Sequence, residues 1–228
     1  MRPRARTVPG AAAPRLIAGL LVVLGAFAAA RGALAATLAI TVHTADGHAL
    51  PGAVITAWPA EATARHPAPA HAVMDQVNRA FVPDLLVIPV GSTVTFPNSD
   101  SVSHQIYSFS PARRFQLPLY RGKPYPPVHF DTPGVVTLGC NIHDEMLAYL
   151  VVTDAPYFGR TDTSGTWSAE VTRGRYRIAV WHPRLRDNGA DLERELTVGE
   201  TDNAEITLRL AKPLQPAPLT DRPHSWDY

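Results

Sequence analysis

From residue 38 onward the chain is written in short apolar or alternating runs closed by turn residues, and no stretch carries a helical period. That pattern restricts it to strands. Runs at 38–42 and 53–58 read as the first two, joined through Asp46-Gly47 and Pro51-Gly52, dipeptides suited to tight turns with positive φ. Residues 59–71 are rich in Pro and Ala, lack a hydrophobic pattern and read as a linker. Between 72 and 154 the texture changes. Residues 81–89 read as one strand, 93–96 as another after a turn at Val90-Gly91, and 106–109 as a third beyond the polar loop 98–103. The run 115–120 has the character of an edge strand, because Pro118 has no N–H to give a ladder. The run 135–138 leads into Cys140, and 147–152 reads as a buried strand closing this segment. Four more strands are expected in 155–210, at 166–171, 176–181, 193–198 and 203–210. Two strands at 36–58 cannot bury a face alone. They are expected to share a small sandwich with 155–210, with 72–154 inserted into it or packed beside it. The proline-rich tail 211–228 is expected to be flexible. The fold class is therefore all-β, with two sandwiches on one chain.

The N-terminus reads differently. Residues 1–15 carry four arginines and no acid, 16–30 are apolar, and Ala33-Leu34-Ala35 offers a small-x-small cleavage site. This is the pattern of a secretory signal peptide at 1–35, its apolar core short for a membrane span. The mature protein is then expected in the periplasm, with no membrane attachment after cleavage. Residues 1–35 hold five of the 21 Lys and Arg and none of the 20 acids, so the mature chain has 16 basic against 20 acidic residues, a formal net of −4. It has no basic stripe of the kind a nucleic-acid binder needs.

Cys140 is the sole cysteine, so an exported chain of this kind has no internal disulfide to make with it. His143 follows three residues later and Met146 three beyond that. Thiolate, imidazole and thioether on one short loop, completed by a second histidine, make the His₂Cys set with weak axial Met of a blue-copper electron-transfer centre. His104, after the polar loop, is the candidate for the missing ligand. The metal site expected is thus His104, Cys140, His143 and Met146. Two other chemistries could use the same residues. Cys140 and His143 could act as nucleophile and base, given an orienting group and an oxyanion site. Zinc could take the two histidines and the cysteine, with a thioether as a poor fourth ligand. The remaining histidines (His43, His48, His66, His71, His129, His182 and His224) read as structural or solvated, with His129 worth checking because it precedes the Cys140 strand.

Val90-Gly91-Ser92-Thr93-Val94-Thr95-Phe96 with Asn98, Asp100 and His104, followed by Gly134-Val135-Val136-Thr137-Leu138-Gly139-Cys140, His143 and Met146, resembles the cupredoxins. The short ligand loop is most similar to the amicyanin type, and the wider arrangement to periplasmic plastocyanin-like proteins of methylamine utilisation. The likeness covers about 72–154 and implies a Greek-key sandwich holding one type 1 copper ion. The flanks, through Asp46-Gly47, Pro51-Gly52, Thr161-Asp162, Gly165, Gly174 and Tyr176, resemble the carboxypeptidase regulatory-like, transthyretin-like sandwich. Two positions depart from the cupredoxin pattern. Gln105 stands where many members have an asparagine tying the ligand loops together, and Asp144-Glu145 where the amicyanin type has Pro and Phe. The resemblance implies one-electron transfer rather than enzyme turnover, with His143 as the ligand through which electrons pass and a cytochrome or dehydrogenase as partner. Asp144 and Glu145 predict a basic surface on that partner. Copper delivery, sensing or a structural role without redox turnover is the alternative.

Overall fold

The computed structural model describes residues 35–61, 65–186, 192–199 and 203–217. The signal peptide expected at 1–35 lies outside these residues except for Ala35, which opens the first strand. The chain is all-β: seventeen strands and no α-helix are found among the described residues. The N-terminal pair is β1 (Ala35–His43) and β2 (Val54–Pro59). The middle of the chain supplies β3 (His71–Val73), β4 (Asp75–Val77), β5 (Ala80–Val82), β6 (Leu85–Pro89), β7 (Ser92–Thr95), β8 (His104–Ser108), β9 (Phe115–Tyr120), β10 (Val128–Phe130), β11 (Gly134–Gly139) and β12 (Leu147–Thr153). The last five are β13 (Tyr157–Arg160), β14 (Thr166–Thr172), β15 (Gly174–Trp181), β16 (Arg194–Val198) and β17 (Asn203–Arg209).

Alternation in β1 puts Leu38, Ile40 and Val42 on one face, all fully buried, and leaves Thr37, Ala39 and Thr41 partly exposed. β1 lies between β14, antiparallel, and β17, parallel. A second sheet runs in the order β13-β2-β15-β16. Ile55 and Ala57 of β2 and Tyr176, Ile178 and Val180 of β15 meet the β1 side chains in one core. The turn at Gly165 closes this layer. Its φ is +77°, and a Cβ there would stand 2.7 Å from the Val42 carbonyl oxygen and 2.9 Å from the Leu50 nitrogen, so only glycine fits.

The other sandwich faces a five-stranded sheet, β6-β12-β11-β8-β9, toward β10-β7-β3. Phe96, Ile106, Phe130, Val136, Leu138 and Leu150 fill its core. The sheet leaves β9 at its edge, where the missing N–H of Pro118 costs no ladder bond. The run 81–89, expected as one strand, is split: β5 pairs with β4 and β6 with β12. Pro83 cannot donate to a ladder, and the two halves take different neighbours on either side of it. In β12 both faces are covered. Ala148, Leu150 and Val152 point into the core, while Val151 and Tyr149 meet Val54, Leu85 and Trp181 in a third cluster that packs the two sandwiches together. The rings of Tyr149 and Trp181 cross edge-on at 5.5 Å.

The tail begins bonded rather than loose. Gln215 donates its N–H to the Arg184 carbonyl at 2.8 Å, and Arg184 Nε donates to the Gln215 carbonyl at 2.6 Å. Residues 218–228, the rest of the segment expected to be flexible, lie outside the described residues. Among the described residues no helix is long and apolar enough to cross a membrane.

His182, just past β15, sits at the junction of the two sandwiches. Burial pushes its pKa down to about 4; Arg184 and Arg160 add to the shift and Asp84 opposes it. Its Nδ1 accepts the Arg184 N–H at 3.2 Å, a bond that needs the neutral ring. Below the unfolded value of about 6.5 the unfolded chain binds a proton that the folded chain refuses, so stability is complete above that pH and falls toward pH 4. With the ring partly open to solvent, the loss is expected to be about 1.5 kcal/mol. Urea unfolding at pH 7 and pH 4 will show it, and His182→Gln will remove this component of the difference.

Candidate metal centre

Strands β11 and β12 are antiparallel, and Gly139 opposite Leu147 is their last pair. The seven residues from Cys140 to Met146 are therefore a closed loop whose first and last members flank one paired couple. Cys140 is 3% exposed and Met146 2%, and both belong to the same core cluster. The loop is tightened by Met146 N–H donating to the His143 carbonyl at 3.0 Å. Gly139 faces Tyr107 across the β8–β11 pair, and a Cβ there would come within 2.7 Å of the Tyr107 ring. A side chain before the cysteine would have to displace that ring.

His104 is the first residue of β8 and is fully buried. Its Nδ1 lies 3.0 Å from Nδ1 of His143, which lies 3.9 Å from Sγ of Cys140. One ligand atom from each of the three residues falls within 4.8 Å of the others. Two loops from different strands thus converge on one point. Met146 is buried at the end of the same loop. The other histidines among the described residues do not join this cluster. His129 is exposed on β10 with Asp131 at 3.9 Å, and His224 lies outside the described residues.

Asp100, for which the sequence offers no separate reading, bonds directly to the cluster. Its Oδ2 accepts from His104 Nε2 at 2.9 Å and from the backbone N–H of Arg79 at 2.7 Å; its Oδ1 accepts from Ser101 N–H at 2.7 Å. The Arg79 N–H is available because Asn78 and Arg79, φ +51° and +58°, form the two-residue turn of the β4–β5 hairpin. Asn98 fixes the loop from the other side. Its Nδ2 donates to the Val102 and Tyr120 carbonyls, and its Oδ1 accepts the Asp100 N–H. The Arg79 N–H, then His104, hold the Asp100 carboxyl down to about 2, so it is ionised across the physiological range. An ionised carboxylate at Nε2 requires the proton there, which leaves the Nδ1 lone pair of His104 facing the cluster. Burial also lowers the His143 pKa, with His104 adding to the shift, and keeps its imidazole neutral.

Two imidazole nitrogens 3.0 Å apart must share a proton or a cation. Nitrogens each ~2.0 Å from one ion stand ~3.3 Å apart at tetrahedral angles, and a thiolate at ~2.3 Å stands ~3.5–3.7 Å from each nitrogen. Two of the three edges, at 3.0 and 3.9 Å, lie within a few tenths of an ångström of that requirement, and the three ligand atoms together fall within 4.8 Å. Two imidazole nitrogens and a thiol sulfur make a soft donor set, which fits copper; for zinc, a thioether from the nearby loop would be a poor fourth ligand. His143 presents to Cys140 the same nitrogen that faces His104, an arrangement suited to chelation.

No family model matches the sequence, and no curated protein matches it. Solved structures do match part of it. A purple cupredoxin from Nitrosopumilus maritimus is 27% identical over 36% of this chain and 99% of its own, with a TM-score of 0.33. A copper-containing nitrite reductase from Thermus scotoductus is 27% identical over 42% of this chain and 25% of its own, with a TM-score of 0.35. An amicyanin variant in its reduced Cu(I) form is 19% identical over 43% of this chain and 99% of its own, with a TM-score of 0.34.

Proposed function

We propose that the mature chain is a periplasmic type 1 copper protein that passes single electrons between redox partners. The observation that carries this reading is the convergence of His104 Nδ1, His143 Nδ1 and Cys140 Sγ within 4.8 Å at one end of a β-sandwich. His104, Cys140 and His143 would hold the ion, with Met146 as the weak fourth ligand. Bound copper would supply the one-electron chemistry, alternating between Cu(I) and Cu(II). The chain's task is then to keep its donors still. His104 is pinned by Asp100, and Cys140 and Met146 by the last pair of β11 and β12. Burial of His104, Cys140 and Met146 keeps water from three sides, while His143 is half-buried beside Ile142, which is 53% exposed. Contact with a cytochrome or dehydrogenase would be made there, where Asp144 is exposed and favours a basic surface.

Adding Cu(II) to the purified mature protein tests the reading. An intense blue colour is expected, absent in Cys140→Ala, with one equivalent bound. The coloured protein is then expected to be reduced rapidly and reversibly by a small cytochrome. Binding without colour would instead favour a copper-delivery or buffering role. A folded protein that binds no copper would end both.

A further inference from the structure

A cleft lies between the two sandwiches, and Glu145 of the Cys140–Met146 loop stands on its lining. The cleft has a volume of about 730 Å³, within the range of small-molecule sites. Arg79, from the β4–β5 turn, lines one wall with Glu145; Arg160, His182 and Arg184 line the other, with Asp84 near them. Arg160 donates Nη1 to the Leu85 carbonyl at 3.3 Å, and Arg184 donates Nε to the Gln215 carbonyl at 2.6 Å. Both partners are neutral carbonyls, so these bonds leave the guanidinium charges in place. Among the described residues no salt bridge joins Arg160 or Arg184 to a carboxylate. The positive field is felt by His182, whose charged form is disfavoured first by burial and then by both arginines.

We propose that this cleft binds a small organic oxyanion, a di- or tricarboxylate or a phosphate ester, between Arg79 on one sandwich and Arg160 and Arg184 on the other. Guanidinium forks match carboxylate and phosphate oxygens two at a time, and partial enclosure strengthens those bonds. Asp84 and Glu145 require the ligand to set its negative oxygens against the guanidinium groups and away from these carboxylates, which a ligand with two or more separated anionic groups can do. The proposal does not depend on what the His104–Cys140–His143 cluster binds.

Calorimetric titration of the mature protein with citrate, and separately with inorganic phosphate, at constant ionic strength will test it. Saturable binding of one equivalent of citrate is expected, with a rise in melting temperature. Arg160→Gln and Arg79→Gln are each expected to weaken binding about tenfold or more, the loss of one charge-assisted bond. Arg209→Gln, remote from the cleft, is expected to bind like the parent. The Arg79→Gln variant has its backbone N–H intact, so its Asp100 contact survives and a folding defect is not expected. Absence of saturable binding to either anion would overturn the proposal, as would equal affinity in the parent and both cleft variants. Binding confined to long acidic polypeptides would also overturn it, and would mark the cleft as a protein-docking surface.

Discussion

Asp100→Asn is expected to lower the copper affinity of the proposed site by about 10- to 100-fold, the cost commonly seen when a ligand histidine loses its orienting carboxylate. The three groups around the carboxylate, His104 Nε2, the Arg79 N–H and the Ser101 N–H, are all donors. An asparagine must turn its NH₂ toward at least one of them, whichever way it flips. It also removes the charge that holds the proton on His104 Nε2 and makes Nδ1 a better electron donor. Less electron density at that ligand favours Cu(I), so the reduction potential of the loaded protein is expected to rise. A purely structural role for Asp100 would weaken binding without moving the potential. Copper competition with a chromophoric chelator and a redox titration together separate the two.

Gly165→Ala will destabilise the fold by about 2–4 kcal/mol, combining a left-handed backbone for a residue with a Cβ and a steric overlap that side-chain motion cannot relieve. The atoms in the way are the Val42 carbonyl and the Leu50 amide, and the first of these faces also supplies the bond Val42 N–H to Gly165 O at 2.8 Å. Relief would require parting β1 from the turn that feeds β14. Gly199→Ala is the control: nothing lies within 4 Å of a Cβ there, and the change is expected to be small. Urea denaturation midpoints measure both.

The candidate donor loop is legible in the sequence because its members are neighbours in the chain. Cys140, His143 and Met146 lie within one turn between two strands, and each strand was recognisable from its apolar run. His104 could be named as a candidate, since it follows a strand and a polar loop, but its approach to His143 is made by pairing across the sheet. The role of Asp100 had no local signature. One of its three short bonds comes from the Arg79 N–H, 21 positions earlier, and that N–H is aimed by two left-handed residues in a turn that carries no glycine. Pro83 marks the split of 81–89 into β5 and β6, but the apolar run continues on both sides of it and only the different pairing partners separate the two strands. The arginine cleft is wholly tertiary. Arg79, Arg160 and Arg184 come from separate stretches with nothing in common except where the two sandwiches abut.

β2 and β13 lie side by side, with Ala57 opposite Tyr157, although almost a hundred residues separate them in the chain. As the polypeptide emerges N-terminus first, β1 and β2 must wait with open edges until β13 and the strands after it have been delivered. The stretch between them has most of its own partners within itself, and by folding early it would bring the two ends of that gap together and shorten the effective loop that remains to be closed. Assembly is therefore expected to run from the inside outward. A lesion in the middle stretch should leave the outer strands exposed to aggregation during folding, even where the outer sandwich itself carries no change.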